Sequence, residues 1–190
     1  MVAKTKTVME SFYGTVTPNA DAGGSSALLP VKASDGAPEG AKYLMEFRDV
    51  EVRESKKGNH PYINYRLAVV EPEHFENRGF FSMLYIPMPN DETSAEDRKK
   101  MTTSTERAMG QIDRILGEGS ALEALGEAND VASLKSALED LASDLEGERT
   151  VCEVRVQKAD KKQIEAGYTD DKNAVRQFHA VDTWVNEDED

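Results

Sequence analysis

From Ala41 onward the chain alternates apolar and polar positions. Tyr43, Met45 and Phe47 share one face, and Val50 and Val52 continue one step out of phase. Alternation at period two predicts a strand, and the change of phase predicts a bulge near Arg48 and Asp49. The stretch 55–61, SKKGNHP, carries strong breaker signals and predicts a turn. A second strand follows, with Ile63, Tyr65, Leu67 and Val69 on one face and Tyr62, Asn64 and Arg66 on the other. A polar turn at 72–78 leads to a third strand over 80–86, which Pro87 and Pro89 end.

The period then changes from two to three and four. Thr93, Ser94, Ala95 and Glu96 read as a capping box with Thr93 at the cap. Met101, Ala108, Ile112, Ile115 and Leu116 fall on one face of the helix that follows, and Gly117 and Gly119 stop it. A second helix starts after Asp130, with Val131, Leu134, Leu138, Leu141 and Leu145 forming one apolar stripe. Gly147 terminates it. Alternation returns at Arg149, predicting a fourth strand over 151–156, a polar loop over 160–173 and a fifth strand over 174–185.

The expected fold is therefore mainly β with helices: a five-stranded OB-like barrel, with a helical insertion at about 93–147 between strands three and four. In such a barrel a ligand lies over strands two and three and the loops joining one to two and four to five. Those loops are 55–61 and 160–173 here. Residues 1–40 are rich in Thr, Ala, Gly, Ser and Pro and read as a flexible arm with one short strand near 12–16. The domain spans 41–185, and 186–190 form an acidic tail.

Composition changes the picture in one respect. Across its 190 residues the chain has a net charge of −13, which argues against a simple nucleic-acid binder. The excess is local: the net is −9 over 91–148 and −4 over 186–190, but 0 over 41–90 and +1 over 149–185. Local clusters decide binding, and both ligand-side loops hold a lysine pair. Lys4 and Lys6 lead into no apolar stretch, so no secretory signal is expected. No apolar run is long enough to span a bilayer. Cys152 is the only cysteine, which excludes an internal disulfide and fits a reducing cytoplasm. His60, His74 and His179 are isolated, and no metal-ligand spacing, phosphate-cradling loop or triad context is present. The reading is a non-enzyme without cofactor or metal.

The stretch YLMEFRDVEVRESKKGNHPYINYRLAVVEPEHFENRGFF resembles the first half of phage-encoded single-stranded DNA-binding proteins of the OB-fold type. RTVCEVRVQKADKKQ and the later YTDDKNAVRQFHAVD are similar to their last strands, and NEDED is similar to their acidic tails. The resemblance covers residues 41–90 and 149–190. It implies single-stranded DNA as ligand, in the host cytoplasm. It also implies replication or recombination proteins as partners of Glu187, Asp188, Glu189 and Asp190.

Single strands are held by cations along the phosphates and by rings stacked on bases. The candidate cations are Arg53, Lys56, Lys57, Arg66, Arg155, Lys158, Lys161, Lys162, Lys172 and Arg176. The candidate rings are Tyr62, Phe81 and Tyr85, and Asn64 shares the face of Tyr62. Tyr65 belongs with Ile63 and Leu67 in the core. The sequence leaves open whether Phe80 or Phe81 faces the ligand. Cys152 packs inside, with Val154 and Val156 at alternate positions. The leucine stripe packs on the barrel or the first helix, or else serves as a partner or self-association surface. A rival reading makes the chain a protein-interaction module, or an acidic mimic of DNA that inhibits a DNA-processing protein. The position of the basic residues discriminates the two: one positive groove through both loops, Arg66 and Arg155 favours nucleic acid, and a face covered by helical carboxylates favours the rival.

Overall fold

The computed structural model describes residues 28–55, 60–89, 92–158, 161, 165 and 171–184. The expected strand near 12–16, Lys56, Lys57, Lys162 and the tail carboxylates Glu187, Asp188, Glu189 and Asp190 lie outside the described residues.

Strand β1 (Lys42–Glu54) runs into β2 (Pro61–Glu71) and β3 (Gly79–Leu84). Three helices follow: α1 (Ala95–Leu116), α2 (Ser120–Leu125) and α3 (Val131–Leu145). Strands β4 (Arg149–Gln157) and β5 (Lys172–His179) complete the fold. The five strands form one antiparallel sheet in the order β3-β2-β1-β4-β5. A meander of three strands with the fourth returning beside the first is a Greek key.

The fold class is α+β, with the helices inserted between strands three and four as the change of period predicts. Closure is where the expectation needs correction. The edge strands β3 and β5 come into contact, but no ladder joins them, so the sheet is open. The directions of the ladders give a reason: a β3–β5 pairing would be parallel, the less stable kind. β3 is also short, and Pro87 cannot donate to an extension of it.

The bulge lies where the phase change places it. The β1–β2 register shifts between Arg48 and Glu51, and Asp49 takes φ 53, a left-handed conformation that a short polar side chain tolerates. The shift turns Val50 and Val52 back toward the core that Tyr43, Met45 and Phe47 begin. Tyr65 packs on Phe47 with ring centroids 4.9 Å apart. Phe178 closes the far side of Phe47 at 5.9 Å. Leu134, Leu138, Leu141 and Leu145 enter the same core, so the stripe of α3 is internal packing except at Val131, which is exposed. Cys152 is buried among them, and burial pushes its thiol pKa up.

Several boundaries differ from the sequence expectation. The cap of α1 is Ser94, one residue later than expected. Its hydroxyl accepts from the Asp97 amide at 3.1 Å and donates to the Asp97 carboxylate at 2.8 Å. Asp97, not Glu96, is therefore the reciprocal partner. Asp130 caps α3 by accepting from the Ser133 amide at 2.7 Å, and Ser133 Oγ accepts from the Asp130 amide. α2 was not foreseen, because six residues between glycines carry too little periodicity. β5 starts two residues earlier and ends six earlier than expected. After His179 the chain turns at Val181–Thr183, and the Trp184 indole N–H donates to Glu71 at 2.6 Å.

Asn173, expected at the end of a polar loop, is buried in β5. Its amide oxygen accepts from the Leu29 amide at 2.7 Å and its amide nitrogen donates to the Leu29 carbonyl at 3.2 Å. The side chain thus stands in for a strand partner. Leu29 enters the core, and the Tyr43 hydroxyl donates to the Pro30 carbonyl at 2.7 Å. The packed domain therefore begins inside the stretch read as an arm.

Candidate nucleic-acid interface

Strand alternation sorts β2 and β3 into two faces. Ile63, Tyr65 and Leu67 of β2 point into the core, and Leu84 of β3 joins them. Tyr62, Asn64 and Arg66 face the other way, half-buried. On β3, Phe80 packs partly against the core. Phe81, Met83 and Tyr85 are 62%, 62% and 45% exposed. Phe81 is thus the ring that faces outward. Met83 was missed, although its place two residues from Phe81 was readable once the face of Phe81 was known.

The register turns these residues into rows. Met83 stands opposite Asn64, and Asn64 opposite Glu51. Phe81 stands opposite Arg66, and Arg66 opposite Arg48. Arg53 stands opposite Tyr62. Tyr85 extends the outer face beyond Leu84, with its ring 4.7 Å from that of His60. Gly79 holds β3 in this register: a Cβ there would meet the Leu67 carbonyl oxygen at 1.9 Å. Three large apolar side chains in a line on an edge strand form a patch that water covers at a cost.

The cations divide by their partners. Arg66 donates to the Asn77 carbonyl at 2.8 Å, and Arg48 donates to the Asn77 side-chain oxygen at 2.8 Å. Asn77, at φ 62, so sets both guanidinium groups beside the start of β3. Glu46 bonds Arg48 at 2.8 Å and Arg149 at 3.3 Å, and the Arg48 hydrogen bond holds its carboxyl below the usual range. Arg53 pairs with Glu51, and Arg176 pairs with Glu153 at 2.9 Å. Among the described residues Arg66, Arg155, Lys158, Lys161 and Lys172 have no carboxylate within ion-pair distance.

Two groups of candidates result. Tyr62, Asn64, Arg66, Phe81, Tyr85 and Arg53 come together on the β1–β3 face. Lys172 pairs with Gln157 and Ala174 with Arg155 at the mouth of the β4–β5 hairpin, so Arg155, Lys158 and Lys172 form a second cluster there. The ladders do not set Arg66 and Arg155 side by side, so the single positive groove expected through them is not formed among the described residues. Arg66 opposes Arg48, two residues past Glu46; Glu46 opposes Arg149, and Arg155 lies six residues further along β4. That places it roughly 25 Å along the sheet from Arg66 at about 3.3 Å per residue. The helices insert their apolar residues on the core side of the sheet, and α3 brings Glu146 to β1, where its carboxylate accepts from the Val50 amide at 2.8 Å.

No helix among the described residues is long and apolar enough to cross a membrane. No protein-family model, curated protein or solved structure matches the chain.

Proposed function

We propose that the chain binds single-stranded nucleic acid on the outer face of β2 and β3, as a non-catalytic single-stranded DNA-binding protein of a phage-like replication or recombination system. One observation carries the reading: Phe81, Met83 and Tyr85 lie exposed in a line, with Arg66 opposite Phe81 across the ladder. Stacking surface beside cations is what a single strand needs, and a duplex, with its bases already stacked, does not use it. The strand order supports the same reading. Pairing β3 with β5 would close the sheet into the five-stranded Greek-key barrel of the OB type, whose ligand face is strands two and three. The cluster of Arg155, Lys158 and Lys172 then guides the strand at the four–five loop, and the acidic tail recruits partner proteins.

The test is fluorescence anisotropy of a labelled oligo-dT with unlabelled duplex as competitor, over a salt series. The single strand should bind in preference, with log K falling by about 0.7 for each phosphate neutralised as log salt rises. Equal affinity for duplex and single strand, or no binding at low salt, rejects the proposal in favour of a protein ligand for the same apolar face.

A further inference from the structure

The middle of the proposed platform is not cationic. The row Met83–Asn64–Glu51 crosses three strands, and the Asn64 side-chain nitrogen lies 3.5 Å from Glu51 Oε1. The rows beside it differ: one carries Phe81, Arg66 and Arg48, and the other carries Tyr62 and Arg53. Arg53 is ion-paired to Glu51 and Arg48 to Glu46, so Arg66, in the row of Phe81, is among the described residues the cation of this face left to attract phosphate. A strand crossing this face therefore lays its phosphates along the row of Arg66. What lies over the central row is a base.

Adjacent strands are about 4.8 Å apart, so a base resting on Met83 turns its edge toward Asn64 and Glu51. The two side chains offer a defined pattern there. The carboxylate only accepts, and the amide both donates and accepts. Cytosine, adenine and guanine each carry an exocyclic amine that donates to a carboxylate, as in the pairing of Glu with the cytosine N4 amine. Thymine carries none. Its single ring N–H sits between two carbonyl oxygens, so its approach to Glu51 brings acceptor against acceptor.

We propose that Glu51, with Asn64 beside it, reads one base of the bound strand and favours bases that carry an exocyclic amine over thymine. This rests on the nucleic-acid reading of the same face and adds to it a preference at one position. Arg53 is a positioning residue here, since its ion pair holds the Glu51 carboxylate on the face.

The experiment compares the full chain with Glu51→Gln and Asn64→Ala, using short labelled oligo-dC and oligo-dT at neutral pH. The change in their ratio on Glu51→Gln isolates the base edge, because differences in stacking between the homopolymers are common to both chains. Oligo-dC should bind about fivefold tighter than oligo-dT, the size expected of one partly solvated hydrogen bond to a charge. Glu51→Gln, whose amide also donates, should bring the ratio near one while tightening oligo-dT binding. Asn64→Ala should lower the ratio part way. Equal binding of the two homopolymers by the unaltered chain overturns the base preference and leaves single-strand binding standing. A preference that survives Glu51→Gln also overturns it, because another group is then the reader. Failure to bind either homopolymer at low salt rejects the platform itself.

Discussion

Tyr62 and Tyr65 are the same residue type, three positions apart on one strand, and they do different work. Tyr65 is enclosed, its ring tilted on Phe47, and burial raises its hydroxyl pKa to about 12. Tyr62 sits on the opposite face, across the ladder from Arg53. Nothing in the chemistry of the phenol separates them. The strand period does, because a shift of one position exchanges the core face for the solvent face. The inner face of β2 is stabilised by every neighbour it has. The outer face carries equally apolar groups next door on β3 and leaves them open. An apolar surface left open on a folded domain marks a ligand or partner site.

The largest expected effect tests that contrast directly. Tyr65→Ala should cost about 3–5 kcal/mol of stability, as for other large rings removed from a core. Tyr62→Ala should leave the melting temperature nearly unchanged and weaken oligo-dT binding by roughly 1–3 kcal/mol. Thermal melts and anisotropy on both variants decide it, and the reverse pattern would mean that the two faces are exchanged.

Phe81→Ala sharpens the same comparison on β3. The ring is mostly exposed, so its loss should leave stability within about 0.5 kcal/mol and weaken single-strand binding by about 1–3 kcal/mol. Phe80→Ala should do the opposite, since Phe80 packs partly against the core. A double variant of Phe81 and Tyr85 that still binds oligo-dT at full strength would remove the platform from the argument.

How much of this was legible in the sequence follows from the range of the interactions involved. The alternation at Tyr43, Met45 and Phe47, its slip at Arg48 and Asp49, and the leucine stripe of α3 are local patterns, and each gave its element and its face. The outward face of Tyr62, Asn64 and Arg66 was legible for the same reason. Asn173 was not, because its role is to bond Leu29, which is remote in sequence. The early end of β5 was hidden too, since the Trp184 indole reaches Glu71 across the fold. On β3, two adjacent phenylalanines left the phase open until the register with β2 was known. The row of Met83, Asn64 and Glu51 comes from three strands, and no single segment carries its signal.

A smaller effect concerns the helices that cover the core side. Asp130→Ala removes the acceptor of the Ser133 amide, and should cost about 1 kcal/mol. Ser94→Ala should cost no more, because the first half of α1 is mostly exposed and adds little to the core. Denaturant midpoints for the two variants compare a cap on a buried helix with a cap on a solvated one. A larger loss from Ser94→Ala would mean that the solvated half of α1 carries more of the fold than its exposure suggests.

The smallest effect lies on the outer face, where a charge pair adds to the ladder that joins β1 to β4. Glu46 accepts from Arg48 and from Arg149, and its pKa is lowered, chiefly by the Arg48 hydrogen bond. A carboxyl with a lower pKa in the folded state binds its proton more weakly there than in the unfolded chain. Its contribution to stability is therefore fully present above the ordinary value of 4.5, and it is lost as pH falls through the lowered folded value. Both arginines are partly exposed, so the contribution should be under about 1 kcal/mol. Glu46→Gln should accordingly lower stability slightly at neutral pH and not at all in acid, where the native carboxyl is already protonated. Denaturation curves for the two chains at neutral pH and below the carboxylate range give the comparison. A difference between them that does not shrink in acid would show that Glu46 acts through its shape and not its charge.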